Sequence, residues 1–278
     1  MQDTKSEGTT KMIKIEVSAK LSEASISRAK TIDIKPNMIL WQHIPVAYLI
    51  GLFECQSLFF KNFKNYSIDD EKDPFDGYRN YIDKILSVNK VFAKSLEALK
   101  QSVCISCWYC SDYISDLVFR NFTNNGYGIA VKTTVCSLCD CLQEHEKDGI
   151  VISYGSVAYG DHLKFNNQSM IQIDDCFFLK KSQYHSENEF RIVSNSFNTL
   201  INSSLGVLNI DDVRSSKEDR RLKVDFMKLI DSFVVYKKNN AMNVYFEWIL
   251  SKFGYKFEMV NDSNMLDFNF YKILNGRS

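Results

Sequence analysis

Two glutamates at the start of a predicted strand have the spacing of a carboxylate pair. Glu187 and Glu189 are separated by one residue, and Glu189 begins the strand-like segment Glu189–Val193. Side chains two residues apart in an extended chain point to the same side. A carboxylate aligned in this way can stabilise positive charge that develops on a substrate. The alternative is that the pair forms an ordinary solvated strand edge.

Four further residues could complete a site around these carboxylates. His43 lies in the first predicted strand of the domain, Thr133 and Thr134 end another strand, and the aromatic Tyr184 lies in the loop before Glu187. Each has a structural alternative. A histidine flanked by apolar residues is usually a structural side chain. The threonines are as well suited to end a strand and cap the next helix.

Six of the eight cysteines form two close groups that resemble the halves of a zinc site: Cys104-x2-Cys107-x2-Cys110 and Cys136-x2-Cys139-x-Cys141. A step of three residues in a strand places the first two on opposite faces, whereas zinc ligands lie on tight turns. The second group lies in a predicted helix, where cysteine packs as a small apolar residue. We therefore expect reduced thiols and no metal site.

Composition narrows the class of protein. The chain has 278 residues, 45% of them hydrophobic, and its 34 basic residues equal its 34 acidic residues, so no overall charge attracts nucleic acid or lipid. The N-terminus lacks the pattern of a signal peptide. The longest nearly apolar run, Ile44–Phe53, is about half of the ~20 residues that a membrane-spanning helix needs. We expect a cytoplasmic protein with no membrane partner.

The elements that must position these residues predict an α+β fold. Residues 1–35 form a polar N-terminal arm with one possible edge strand, Met12–Val17, and residues 36–278 form a single domain with a mixed central sheet flanked by helices. The predicted strands are Ile39–His43, Ser57–Phe60, Val103–Trp108, Gly128–Thr134, Ile150–Tyr159, Cys176–Lys180, Glu189–Val193, Leu222–Val224, Phe233–Tyr236 and Tyr255–Val260. The predicted helices are Val46–Glu54, Tyr78–Lys100, Ser111–Phe122, a helix after Thr134 to about His145, and Met242–Phe253.

Several segments, in order, resemble the prokaryotic domain-of-unknown-function family 2971. They are Leu40–His43, Asp73–Gly77, Ser106–Trp108, Ser115–Arg120, Gly128–Thr134, and Phe178–Lys181 leading into His185–Ile192. The resemblance extends from about residue 38 to about residue 260. Its specificity lies in the combination of segments, since no single segment would suffice.

The Glu-x-Glu pair also resembles an element of ADP-ribosyltransferases, and this resemblance implies a function. Glu189 would hold the nicotinamide ribose and stabilise an oxocarbenium-like centre, and Glu187 would position or deprotonate the acceptor. His43 and Thr133-Thr134 would contact NAD, the substrate, with Tyr184 beside them in the loop. The acceptor would be a macromolecule, either protein or nucleic acid, or water in an NAD glycohydrolase.

Proteins of this kind serve as toxins or antiviral defence effectors, and a partner or inhibitor protein is then expected. The rival hypothesis is a non-enzymatic sensor or protein-interaction domain. The two hypotheses differ in geometry, because the transferase requires His43, Thr133 and Glu189 to face one shared cleft.

Overall fold

The computed structural model describes residues 34–65, 103–142, 145, 150–160, 177–195, 219–260 and 268–277. Its strands are β1 Ile39–Pro45, β2 Ser57–Asn62, β3 Val103–Cys110, β4 Gly128–Thr134, β5 Val151–Ser156, β6 Ala158–Tyr159, β7 Leu179–Lys180, β8 Glu189–Asn195, β9 Arg220–Lys223, β10 Ser232–Tyr236, β11 Tyr255–Val260 and β12 Phe268–Arg277. Its α-helices are α1 Val46–Cys55, α2 Asp116–Phe122, α3 Val135–Leu142, α4 Phe226–Leu229 and α5 Asn240–Lys252, and 3-10 helices span Phe63–Asn65 and Ser182–Glu187.

Ten strands form one sheet that branches at β3. Its main path runs β11-β12-β10-β4-β1-β3, and β3 continues through its other edge to β8 and β5. β2 also pairs with β3, at residues 104–105, well away from the β1 contact at residues 109–110. β9 pairs with β2. β6 and β7 form a separate two-stranded sheet. The sheet thus places β4, β1 and β8, which carry Thr133, Thr134, His43 and Glu189, in one run of strands, with β3 between β1 and β8.

The sheet has two differently covered faces. The back face, marked by Leu40, packs against helices α1, α3, α4 and α5 in the larger hydrophobic core. The front face, marked by Trp41, carries a smaller core in which Phe119 of α2 packs on the central strands. Because both faces are covered, the central strands are apolar on both sides instead of alternating with polar residues.

Local signals explain where the main helices begin and end. The Asn239 side chain accepts a hydrogen bond from the Met242 backbone at 3.1 Å and so caps the start of α5. Gly254 has a φ of 70° just after the end of α5, a left-handed conformation that glycine adopts without strain. The predicted stop at Gly254 is confirmed. Helix α2 begins at Asp116 and not at Ser111, because Ser115 caps it through the Val118 backbone at 3.4 Å.

The α+β class is confirmed, and the mixed sheet is corrected. All described pairings within the ten-stranded sheet are antiparallel, and the parallel pairing lies between β6 and β7. The order of strands and helices along a chain does not fix strand direction, so the prediction had no means of excluding an antiparallel sheet.

One predicted strand is divided in the structure, one strand was not predicted, and three predicted segments lie outside the described residues. Strand Ile150–Tyr159 is divided at Val157 into β5 and β6, and β12 was not predicted. The Met12–Val17 strand, the Asp73–Gly77 segment and the Tyr78–Lys100 helix lie outside the described residues. Within the described part of the chain, no helix is long and apolar enough to cross a membrane.

Candidate functional site

Glu189 lies on the front face, at the start of β8, in a buried ion pair. Trp41 is opposite Tyr109, and Tyr109 is opposite Glu189, so these three side chains leave the sheet on the same side. Arg191, two residues further along the strand, shares this side. Its Nε and Nη2 atoms donate to the two carboxylate oxygens of Glu189 at 2.9 and 3.0 Å. Glu189 is only 7% exposed and Arg191 is 0% exposed.

Lys180 of β7 joins the second glutamate to this pair. Its Nζ lies 3.3 Å from Oε2 of Glu189 and also donates to Glu187. Lys180 is 3% exposed, whereas the Glu187 side chain is 28% exposed. These four side chains, which we call the ion network, carry two negative and two positive charges. Their formal charges therefore cancel.

The ion network fastens a covering segment to the sheet. The Nη1 atom of Arg191 donates to the Phe177 carbonyl at 2.6 Å, so both ends of residues 177–187 are held by the network. A Cβ added to Gly155, opposite Arg191, would lie 3.0 Å from the Phe178 ring, which shows how closely this ring approaches β5. At the other end, Asn188 adopts a φ of 37° and donates to the Cys110 carbonyl.

The cations Arg191 and Lys180 keep the Glu189 carboxylate ionised and balance its negative charge. Burial alone would raise the pKa of its carboxyl, but the charges of Arg191 and Lys180, with hydrogen bonds from Arg191 and Cys107, outweigh burial and lower the pKa to about 2. Burial likewise raises the pKa of Cys107 well above its ordinary value, and the neighbouring Glu189 raises it further, so this thiol stays protonated. A protonated thiol is a poor nucleophile.

Tyr184 belongs to the same segment. Its ring lies 4.8 Å from the Nζ of Lys180, in a cation–π contact. The predicted contact of Tyr184 with a cofactor stays a prediction, but part of its ring already packs on the ion network.

His43 shares the front face but sits in an aromatic cluster. Its ring centroid lies 6.2 Å from that of Tyr109, 5.8 Å from that of Phe119 and 6.0 Å from that of Phe122. Nε2 is buried and has no hydrogen-bond partner among the described residues. Burial lowers the pKa of His43 to about 3, so the ring is neutral at pH 7. We call His43, Tyr109 and Phe122 the aromatic strip; the first two are half-buried and Phe122 is 50% exposed.

The two threonines do not join the front-face residues in a cleft. Thr133 is opposite Leu40, so it points to the back face, where its buried hydroxyl donates to the Leu229 carbonyl. This corrects the expectation of a shared cleft for His43, Thr133 and Glu189. Thr134 is on the front side, but its hydroxyl accepts from the Ser137 backbone at 3.2 Å at the start of α3. The capping alternative is therefore confirmed for Thr134.

The cysteines follow the predicted strand and helix phases. Cys104 packs in the back-face core, whereas Cys107 on the front face meets Glu189. The seven described cysteines are thiols and not disulfides, and the eighth, Cys176, lies outside the described residues. No group of three or more possible metal ligands occurs in the part of the chain that the structure describes.

Two features of the site were not predicted from the sequence. One is the pairing of the glutamates with Arg191 and Lys180, for which the Glu189-x-Arg191 spacing was an available signal. The other is the half-open aromatic strip, for which no local signal exists. No family model, curated protein or solved structure matches this chain.

Proposed function

We propose that this chain is a non-enzymatic sensor, a domain that binds a small ligand and leaves it unchanged. The observation that supports it is the contrast within the front face. The open part of the candidate site, the aromatic strip, is uncharged, whereas the carboxylates beside it are paired with cations. An open aromatic surface suits ring stacking.

The charges of the ion network argue against catalysis at Glu189. A ribosyl cation is stabilised by net negative charge directed at it. Here Arg191 and Lys180 already occupy the carboxylate oxygens of Glu189 at 2.9 to 3.3 Å, and together they balance the charge of both glutamates. Only 7% of Glu189 is exposed. A carboxylate held in this way supports structure better than it supports a transition state.

The strip selects for a flat heterocyclic ring. Phe122 is 50% exposed, Tyr109 is half-buried, and the neutral ring of His43 packs between them without adding charge. Stacking of a base on an aromatic side chain contributes about 1–3 kcal/mol. NAD is the first ligand to test, because it carries two such rings and because the resemblance to ADP-ribosyltransferases proposes it.

Calorimetric titration with NAD, adenosine and nicotinamide tests the proposal. We expect saturable binding of NAD, weakened about tenfold or more in Phe122→Ala through loss of one stacking contact. Phe59→Ala is the matched control, because Phe59 is also a half-exposed phenylalanine but lies on β2. Absence of binding by all three compounds, or equal loss in the two variants, would contradict the proposal.

An NAD-dependent ADP-ribosyltransferase or NAD glycohydrolase is the second candidate. It is favoured by one observation: His43 and Glu189 share a sheet face, with Tyr109 next to both. In this reaction the bond between the ribose carbon and nicotinamide breaks, nicotinamide leaves with the electron pair, and water or an acceptor adds to the ribose. Lys180 would have to release Glu187 or Glu189 first.

The role proposed for Glu187 gives this candidate its own test. Glu187→Gln should reduce transfer of label from NAD to a macromolecule more than it reduces hydrolysis of NAD, if Glu187 acts on the acceptor. A toxin or defence role would follow only from measured transfer. Equal loss of transfer and hydrolysis would remove the acceptor role.

A further inference from the structure

Helix α5 carries apolar side chains on both of its sides. Its inner side, with Phe246 and Ile249 among others, packs in the back-face core. Its solvent side carries a second row of apolar residues, which we call the α5 stripe: Ala241, Val244, Tyr245 and Trp248. Val244 is 68% exposed and Trp248 is 50% exposed. A surface helix that uses only its inner side has polar residues outside, so the stripe marks a contact surface.

The stripe forms a shallow apolar surface along one side of a single helix. Together with Asn240 it lines a depression of about 560 Å³ that is largely open to solvent. The rings of Tyr245 and Trp248 stack at 5.8 Å and form its aromatic part. Residues at positions i, i+3, i+4 and i+7 form a straight row along a helix, and such rows pack against a second amphipathic helix.

Lysines lie at both ends of the stripe. The Lys252 Nζ is 5.0 Å from the Trp248 ring centroid at the C-terminal end. Exposed Lys237 lies just before the N-terminal end. Glu247, on the same helix, is engaged with the Tyr271 hydroxyl at 3.2 Å. The apolar row is therefore bounded by positive charge at each end.

These charges decide between a second copy of the chain and a different partner. An antiparallel two-fold pair of α5 helices, centred between Val244 and Tyr245, would place Lys252 of one copy opposite Lys237 of the other. A parallel two-fold pair would place each lysine against its own equivalent. Both arrangements bring like charges together, which disfavours self-association. Acidic residues at both ends of a partner would complement the lysines.

We propose that the α5 stripe binds an amphipathic helix of another protein, with an apolar row that packs along the stripe and acidic residues at both ends. This surface lies on the back-face side of the molecule, away from the aromatic strip. The proposal is independent of ligand binding at the strip, so either can fail alone.

Fluorescence of the full chain reports on this surface directly. Of the three tryptophans, Trp41 and Trp108 are 0% and 1% exposed, so a change in the environment of an exposed indole comes from Trp248. The probe is a synthetic helical peptide of about four turns with leucines in the apolar row and glutamates at both ends. A twin peptide carries lysines at the ends.

The glutamate-ended peptide should shift the emission to shorter wavelength with saturation and bind at least about tenfold more tightly than the lysine-ended twin. The difference should shrink at about 1 M salt, where charges are screened within about 3 Å. Val244→Glu should abolish binding. Leu117→Glu is the matched control, because Leu117 on α2 is also 68% exposed. Lys252→Glu should remove most of the preference between the peptides, because Lys237 remains as the one positive charge at the other end.

Three outcomes would overturn the proposal. Neither peptide shifts the emission, or the two peptides bind equally at low salt, or the protein forms a dimer in sedimentation that Val244→Glu dissociates. The last outcome would assign the stripe to a second copy. Lys252→Glu, an exposed charge change, keeps the test valid even if Val244→Glu does not fold.

Discussion

The ion network and the aromatic strip lie on the same sheet face, yet they are built in opposite ways. In the network, every one of the four charged groups has an oppositely charged partner, and three of the four side chains are at most 7% exposed. In the strip, Phe122 is 50% exposed and His43 and Tyr109 are half-buried. The charges of the first region are paired within it, whereas the second region exposes aromatic surface.

This difference shows that residue type alone does not identify a catalytic site. The paired glutamates have the residue types of a catalytic motif, but their partners turn them into a clamp for residues 177–187. Phe122 has the type of a core residue, but the structure leaves it 50% exposed. The partners of a charged group decide whether that group is free to act.

Among the variants considered, removal of one member of the ion network should lower the free energy of unfolding most. Arg191→Met leaves the Glu189 charge buried with only Lys180 as a partner, and the free energy of unfolding should fall by about 3–5 kcal/mol. Urea denaturation measures this change. Lys228→Met is the control, because Lys228 is 75% exposed in its pair with Asp225 and should matter far less. Similar losses in both variants would show that the network is not a clamp.

The stabilising contribution of the ionised Glu189 should be visible as a change in folding stability at acid pH. Its pKa is about 2 in the folded protein against an ordinary 4.5, so its stabilising effect is present above pH 4.5 and is lost as the pH falls from 4.5 to 2. The stability difference between wild type and Glu189→Gln should therefore narrow by up to about 3 kcal/mol in that range. A difference that stays constant would contradict the ion network.

His43 should respond to acid in a higher range. Its pKa is about 3 when folded against an ordinary 6.5, so below pH 6.5 the unfolded chain binds a proton that the folded protein does not. Wild type should lose about 1–2 kcal/mol relative to His43→Leu between pH 6.5 and about pH 5. Parallel stability profiles of the two proteins would indicate that His43 is solvated and that the strip is more open than described.

The sequence predicted most strands because central strands with two covered faces are apolar throughout. β1, β3 and β4 were found in this way. β12 was missed although its residues 268–274 have strand composition and it pairs with β11, the strand just before it in the chain. Strand direction was missed because the order of elements does not fix it.

The site was predicted only in part, because the face of the sheet to which each side chain points was not known. His43 and Glu189 were expected on one face and are found there. Thr133 points to the opposite face, whereas Thr134 points to the same face as His43. The face depends on the register between strands, which one sequence does not fix. The pairing of Arg191 with Glu189 was predictable, since the two residues are two positions apart in one strand. The contact of Lys180 with Glu189 could be seen only in the folded structure.

The central claim is that the Glu-x-Glu pair is a structural clamp and not a catalytic pair. Its most direct test is the time course of nicotinamide release from NAD by the wild-type chain, with Glu189→Gln measured beside it after its folding is verified. We predict no release above the protein-free background for either protein. Release by the wild type that falls about 100-fold or more in a folded Glu189→Gln variant would contradict the claim and establish the transferase chemistry.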